Sequence, residues 1–260
     1  MGDFTVHPAV VLHIPHSSSL IPADDRSGLV LSEGDLHQEL LAMTDWFTDE
    51  LFDLPGATRI VFPVSRLVVD PERFLDDSLE TMSGRGMGVI YTRTSGGNIL
   101  RARPSTKLRM AFINRYYDPH HNALALAVDR VLDVHSTCLL IDCHSFPARP
   151  LPYEFDQSLE RADICLGTDG FHTPPRLITA AVDAFQQLGF TVSINRPFSG
   201  TLLPLKHYQQ ESRVFSLMVE VNRGLYLNEA TGERNENYSA LQSKIQSAMT
   251  AIATACSTSH

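Results

Sequence analysis

Residues 139–146, with the sequence LLIDCHSF, form an apolar run that ends abruptly in polar groups. Such a run predicts a buried β-strand, and in α/β sheets ligands bind where the strands have their carboxyl ends. His144 is therefore the first candidate for a functional residue, although a histidine at a strand end can also simply hydrogen-bond a loop carbonyl. Neighbouring side chains of a strand point to opposite faces, so Cys143 and His144 are not expected to form a nucleophilic pair.

Three other segments end in the same way. They are VLHIPHSS at 11–18, VSRLVVDPER at 64–73 and LMVEVNR at 217–223. Each is an apolar run that terminates in groups able to ligate a metal, bind an anion or carry a proton. These segments favour a shared functional site over a purely structural hydrogen bond at His144.

Strand and helix patterns alternate along the chain, which predicts one α/β domain over residues 1–260. Strands are predicted at 10–14, 59–62, 67–69, 89–92, 139–146, 162–167, 191–194 and 215–221. Helices are predicted from Ser32 to Met43, after Thr44, at 106–117, after Asp118, at 175–188 and at 240–255. The length of 260 residues and the hydrophobic content of 43% allow a substantial core.

The net charge of −9 argues against a broad nucleic-acid-binding face. No apolar run approaches membrane-spanning length, and the first residues lack the pattern of a signal peptide. A cytoplasmic protein without nucleic-acid or membrane partners is therefore expected. The four cysteines form no CxxC pair, so reduced thiols are expected rather than a zinc-cysteine site.

Several polar residues have both a structural and a functional interpretation. Asp45 and Asp49 lie four apart on a predicted helix, where they form a solvated face or include a metal ligand. Arg66 and Arg73 bracket an apolar run; they are surface ion-pair partners or an anion clamp, since guanidinium matches a carboxylate bidentately. The loop 195–201 is polar and contains glycine and proline, which suits a substrate wall.

Taken together, five motifs resemble the N-formylglutamate amidohydrolase (formylglutamate deformylase) family of histidine breakdown. They are HIPHSS at 13–18, VSR at 64–66 with DPERF at 70–74, DCHS at 142–145, NRPFSG at 195–200 and EVNR at 220–223. The likeness covers nearly the whole chain in the order of the family. It implies a relationship to zinc carboxypeptidases and aspartoacylases. The implied fold is a single α/β domain with a mixed central β-sheet flanked by helices, zinc-carboxypeptidase-like (phosphorylase/hydrolase-like), with one catalytic zinc ion.

The resemblance also implies the metal ligands. His16 and His144 match the zinc-ligand histidines of the family. The relatives take their third ligand from an HxxE motif, but the position three after His16 is Ser19, which cannot replace the glutamate. Asp45 is the candidate third ligand, because two histidines, a carboxylate and one open position form the expected catalytic zinc site. Asp49 remains the alternative.

The implied reaction is metal-dependent hydrolysis of N-formyl-L-glutamate, a small N-acyl amino acid, to formate and L-glutamate. Glu220 matches the general base that activates a zinc-bound water, and Arg66 matches the group that polarises the scissile carbonyl. Arg73 would hold a substrate carboxylate. Residues of the neighbouring loop would complete the substrate site: Asn195, Ser199 and Gly200.

Two other functions remain open from the sequence. The first is a metal-dependent amidohydrolase for another N-acyl amino acid or for a peptidoglycan-type amide. The second is a metal-free binding protein for acidic amino acids, which would contain no stoichiometric zinc and show no turnover. The identity of the metal and the oligomeric state are not predicted.

Overall fold

In residues 9–26 and 28–257, which the computed structural model describes, six strands form a central sheet. The strands are β1 Val10–Ile14, β2 Thr58–Val61, β3 Cys138–Phe146, β4 Ile164–Gly167, β5 Val192–Ile194 and β6 Val214–Asn222. They lie in the order β2-β1-β3-β6-β4-β5. The first four of these are mutually parallel, whereas β4 runs antiparallel to β6 and parallel to β5. The mixed sheet agrees with the expected fold class.

Helices cover both faces of this sheet. They are α1 Glu33–Met43, α2 Thr48–Leu51, α3 Thr106–Phe112, α4 Asp118–His135, α5 Pro175–Gln187 and α6 Tyr238–Ser257. The side chain of Ser32 caps α1 by accepting a hydrogen bond from the backbone N–H of Asp35, as its position predicts. Over the described ranges, the helices include none that is long and apolar enough to cross a membrane. A small ribbon, β7 Leu227–Asn228 and β8 Glu233–Arg234, precedes α6.

The side chains of β3 alternate between two cores. Leu139, Ile141 and Cys143 pack in the cluster that includes α5 and α6, whereas Leu140 packs in the cluster that includes α4. Because alternate residues of a strand share a face, Asp142 and His144 lie on the α4 side. Cys143 thus faces away from His144, as the strand pattern predicts.

Two predicted strands are wrong. Residues 67–69 and 89–92 form turns and bends, although Val68, Val69, Val89 and Ile90 are buried in one cluster with Phe112 of α3. Val68 donates its backbone N–H to the carbonyl of Ser65 within a turn, and Pro71 follows closely, so pairing cannot extend. A short apolar run indicates a buried segment, and an irregular segment buried under a helix has the same sequence pattern as a strand.

The predicted helical face shared by Asp45 and Asp49 is also wrong. Helix α1 ends before Thr44, and α2 begins only at Thr48. Asp45 therefore lies in the connection between the two helices, and only Asp49 is helical. This connection leads the Asp45 side chain into the interior, where it is 2% exposed.

Gly167, at the end of β4, supplies the first test. A Cβ atom there would lie 2.1 Å from the carbonyl oxygen of Gly200 and 2.5 Å from Cε of Met218. Gly167→Ala should therefore displace the loop that contains Gly200 and lower the free energy of unfolding by about 1–3 kcal/mol, measured with denaturant. Gly170→Ala is the matched control, because a Cβ atom there meets nothing within 4 Å. Equal stability of the two variants would contradict the importance of this close approach.

Candidate active site

The sheet register and one loop bond bring the predicted site residues together. His144 of β3 lies beside Glu220 of β6 in the register of the sheet. His16 lies two residues beyond the end of β1, and Asp45 lies two residues beyond the end of α1. The backbone N–H of Asp45 donates to the carbonyl of His16 at 2.9 Å. Four segments that are distant in sequence therefore meet at the carboxyl ends of the strands.

Three buried side chains, which we call the metal group, could hold a metal ion. They are His16, Asp45 and His144, whose donor atoms lie within 4.8 Å of one another. Oδ2 of Asp45 is 3.1 Å from Nδ1 of His144 and 3.7 Å from Nδ1 of His16. Nδ1 of His16 is buried and has no hydrogen-bond partner among the described residues, which is costly unless a ligand satisfies it. Two imidazoles and a carboxylate match the donor set of a catalytic zinc site.

Carboxylates orient both histidine rings from behind. Nε2 of His16 is 2.9 Å from Oδ1 of Asp70, and Nε2 of His144 is 3.2 Å from Oδ1 of Asp142. Glu72 also lies 3.2 Å from Nε2 of His144. A carboxylate that accepts from the outer nitrogen leaves the other nitrogen free for a metal. Asp70, Glu72 and Asp142 lie in the motifs DPERF and DCHS, but no role was predicted for them.

A second group of possible ligands lies next to the first. His13, Glu72 and Asp142 also offer donor atoms within 4.8 Å of one another. Both ring nitrogens of His13 are already engaged, Nδ1 with Asp142 and Nε2 with His120, each at 2.8 Å. The group that contains the unpaired nitrogen of His16 is therefore the better metal site.

The charges around the first group suit a cation. Burial alone would raise the pKa of Asp45, but the hydrogen bond from His144, the contact with His16 and the charge of Arg223 hold that pKa well below its usual range. Burial alone would lower the pKa of His144, yet Glu72 and Asp142 raise it well above its usual range. Without a metal, the group therefore combines an ionised carboxylate with a protonated imidazole.

Glu220 is a buried carboxylate whose Oε2 has no hydrogen-bond partner in the described part of the chain. Burial raises its pKa to about 8. The nearby Arg223 donates to Oδ1 of Asp45 at 2.7 Å and to the carbonyl of Ala42 at 2.6 Å. Glu220 thus retains a free oxygen with a high affinity for a proton.

Asp70 joins Arg66 and Arg73 to the metal group. Nη2 of Arg66 is 2.8 Å from Oδ2 of Asp70, and Nε of Arg73 is 3.6 Å from the same oxygen. Nη1 of Arg73 also lies 3.8 Å from Glu80. Both guanidinium groups line the cavity, so the expected arginine pair is present beside the histidines.

A cavity of about 1060 Å³ opens over these groups. The predicted site residues that line it are His16, Asp45, Arg66, Arg73, His144, Ser199, Gly200 and Glu220. Asn195 is not among the lining residues: its side chain accepts from the backbone of Thr168 and donates to the Thr168 hydroxyl. Asp49 lies in α2 outside the metal group.

Comparison with known sequences identifies the family. Residues 8–227 match the profile of N-formylglutamate amidohydrolase. The chain belongs to this family. A curated relative, N-formylglutamate deformylase of Pseudomonas putida, is 25% identical over 228 residues, which are 85% of this chain and 82% of the relative. The family predicted from the five motifs is thereby confirmed.

A solved structure of this family has the same fold. N-formylglutamate amidohydrolase of Ralstonia eutropha is 28% identical and superposes with a TM-score of 0.81, over 95% of this chain and 93% of the other. A gene product of Agrobacterium tumefaciens shares the fold, with a TM-score of 0.67 at 19% identity over 94% and 92% of the two chains. The similarity thus extends over nearly the whole chain.

The arrangement of His16, Asp45 and His144 leads to a prediction about zinc binding. His144→Ala and Asp45→Asn should each abolish stoichiometric zinc binding, measured by metal analysis and calorimetry, because each removes one of three ligands. Asp49→Asn is the control and should bind zinc normally. Since the ion must displace the proton of His144, wild-type affinity should fall as pH falls. Full zinc content in His144→Ala would contradict the assignment.

Proposed function

We propose that this protein hydrolyses the amide of N-formyl-L-glutamate to formate and L-glutamate in histidine degradation. We further propose that it uses one divalent metal ion, zinc, with Glu220 as the general base. The observation that carries the proposal is the unpaired oxygen of Glu220 beside the group His16, Asp45 and His144, in a chain of the N-formylglutamate amidohydrolase family.

The three ligands would hold the ion, and Asp70 and Asp142 would keep the two imidazoles in the ligating orientation. When bound, a divalent ion supplies a Lewis acid that polarises a carbonyl and makes a nearby water more acidic. Arg223, through Asp45, neutralises part of the ligand charge. The residues present therefore suit a zinc ion that keeps one position open.

Glu220 carries the proton through the reaction. It accepts a proton from water while the water oxygen attacks the formyl carbon, and it then passes that proton to the amide nitrogen. The new C–O bond remains in formate, the C–N bond breaks, and glutamate leaves with its amine. A pKa raised by burial makes this carboxylate a stronger base than a free glutamate.

We propose different roles in the reaction for Arg66 and Arg73. Arg66 lies closer to the metal group through its bonds with Asp70, and it would stabilise the negative charge that develops on the formyl oxygen. Arg73 would hold a substrate carboxylate, because it lines the cavity and its contacts with Asp70 and Glu80, at 3.6 and 3.8 Å, are longer than hydrogen bonds.

Glu220→Gln tests the general base. The substitution keeps the shape but removes proton acceptance, so kcat for formate release should fall by about 10²–10⁴-fold while zinc content and folding remain intact. A zinc-loaded, folded and fully active variant would exclude this mechanism. A metal-free binding protein would show no turnover even in the wild type.

The same variant has a predicted effect on stability. The folded pKa of Glu220, about 8, lies above its ordinary value of 4.5, so ionisation destabilises the fold increasingly as pH rises between these values. Metal-free Glu220→Gln should therefore melt above metal-free wild type at pH 9, and the two should melt alike near pH 4.5. A lower melting temperature for the variant at pH 9 would indicate that the Glu220 carboxylate stabilises the fold.

Arg66 and Arg73 should differ in their kinetic effects. Arg73→Ala should raise KM, because loss of a buried charge pair with the substrate costs on the order of 2–5 kcal/mol, and Arg73→Lys should recover little. Arg66→Ala should lower kcat more than it raises KM, since an oxyanion contact is strongest in the transition state. Wild-type kinetics in both alanine variants would show that the pair has no role in the reaction.

A further inference from the structure

We propose that Tyr153 is a further catalytic residue, whose hydroxyl donates a hydrogen bond to the negative oxygen that develops when water attacks the formyl carbon. It acts there together with Arg66. This role rests on the proposed deformylase function. Its basis is the incomplete pairing of Arg66, the unpaired hydroxyl of Tyr153 in the same cavity and the rigid turn that holds Tyr153.

The bonds of Arg66 leave only part of its guanidinium group for a substrate. Its Nη2 donates to Oδ2 of Asp70 at 2.8 Å, and its Nε lies 3.2 Å from the same oxygen and 3.1 Å from the hydroxyl of Tyr91. Within the described ranges, Nη1 has no hydrogen-bond partner. Effective oxyanion sites aim several preorganised donors at one oxygen. A second donor is therefore expected beside Nη1.

Tyr153 lines the cavity and offers such a donor. The residue is half-buried, and no residue that the structure describes forms a hydrogen bond with its hydroxyl. The hydroxyl of a packed tyrosine usually has a partner. The Tyr153 ring packs against the cluster that contains Leu67 and Tyr91. Leu67 follows Arg66 in the sequence and Tyr91 contacts its Nε, so Tyr153 packs beside the residues that surround Arg66.

The electrostatics of the hydroxyl favour the developing oxyanion as its acceptor. Burial raises the pKa of Tyr153 above its ordinary value, and Arg66 opposes this shift more strongly than Arg73 or Arg223. A phenol with a raised pKa keeps its proton at neutral pH and remains a hydrogen-bond donor. Because Arg66 has the strongest influence of the three arginines, the hydroxyl is assigned to the oxygen that Arg66 stabilises rather than to the carboxylate at Arg73.

The turn around Tyr153 is fixed on both sides. The backbone N–H of Glu154 donates to the carbonyl of Leu151 at 3.0 Å, and the Glu154 side chain accepts from the N–H of Leu151 at 2.9 Å. Arg161 pairs with the Glu154 carboxylate, and Nη1 of Arg85 donates to the carbonyl of Tyr153 at 2.7 Å. A donor that is already in place needs no reorganisation during the reaction. These bonds therefore keep Tyr153 at the cavity wall before substrate binds.

Tyr153 keeps its proton throughout the reaction. When the water oxygen bonds to the formyl carbon, an electron pair of the carbonyl moves to the formyl oxygen, which accepts from Tyr153 and from Nη1 of Arg66. The pair returns to form the carbonyl of formate as the C–N bond breaks. The proton path through Glu220 is unchanged. Because the hydrogen bond is strongest in the transition state, its loss lowers kcat more than it raises KM.

The first measurement is kcat and KM for N-formyl-L-glutamate with zinc-loaded enzyme. Tyr153→Phe should lower kcat by about 10²-fold, as for removal of one oxyanion donor, and leave KM nearly unchanged. Zinc content and melting temperature should match those of the wild type, because the hydroxyl has no partner in the described chain. Tyr208→Phe is the matched control and should keep wild-type kcat: Tyr208 lines the cavity, but its hydroxyl already accepts from Nε2 of Gln209 at 3.1 Å.

The second measurement is binding, which does not depend on turnover. The probe is an analogue of glutamate in which a methylene carrying a tetrahedral phosphonate replaces the formylamino group. Tyr153→Phe should weaken its binding to the zinc-loaded protein by about 10–100-fold, as for loss of one hydrogen bond to a charged group. Binding of L-glutamate should be unchanged, because L-glutamate has no oxygen at this position. Calorimetry measures both affinities.

Wild-type kcat and wild-type affinity for the phosphonate in Tyr153→Phe would overturn the proposal and leave the deformylase function standing. A lower kcat accompanied by loss of zinc or by a lower melting temperature would also overturn it, because the hydroxyl would then support the fold. A raised KM with equally weakened binding of L-glutamate would place Tyr153 on a substrate carboxylate instead. If the wild type itself released no formate, the deformylase function would fail, and the role of Tyr153 with it.

Discussion

The buried carboxylate of Asp70 connects His16 to Arg66 and Arg73, the two arginines that line the cavity. Its Oδ1 accepts from His16 at 2.9 Å and from the backbone N–H of Glu72, and its Oδ2 accepts from Arg66 and from the hydroxyl of Tyr91. A carboxylate with 0% exposure is tolerated only when it is fully paired. Burial would raise the pKa of Asp70, but Arg66 and His16 hold it well below its usual range. The orientation of the His16 ring and the position of Arg66 therefore depend on the same carboxylate.

A similar balance of charge operates around His144. Asp45, Glu72 and Asp142 surround its ring, and in the metal-free chain the proton of the imidazole compensates part of their charge. A divalent ion would replace that proton and bring two charges in place of one. The carboxylates around His144 therefore suit a cation.

Local sequence patterns predicted the candidate residues that lie near the ends of strands. His144 and Glu220 lie on the facing strands β3 and β6, and their adjacency follows from the parallel register, which no local pattern displays. Asp45 was suggested by the missing glutamate at Ser19, whereas the helical spacing used for it was incorrect. The motifs thus indicated the candidate site residues, and the fold determines which of these residues contact one another.

Other features depended on tertiary contacts. His120, in the first turn of α4, is buried, and its Nε2 lies 2.8 Å from Nε2 of His13, a contact that no local pattern indicates. Within the loop 195–201, Ser199 and Gly200 line the cavity, whereas the side chain of Asn195 bonds Thr168. Polarity and glycine content indicate a loop near a site, but the direction of each side chain depends on its neighbours.

The position of a bound zinc ion shows directly whether His16, Asp45 and His144 are the metal ligands. The measurement is the anomalous difference map from a crystal of the zinc-loaded protein, collected at the zinc absorption edge. We expect one peak within bonding distance of Nδ1 of His16, Oδ2 of Asp45 and Nδ1 of His144. A peak between His13, Glu72 and Asp142 instead, or no peak in the cavity, would contradict it.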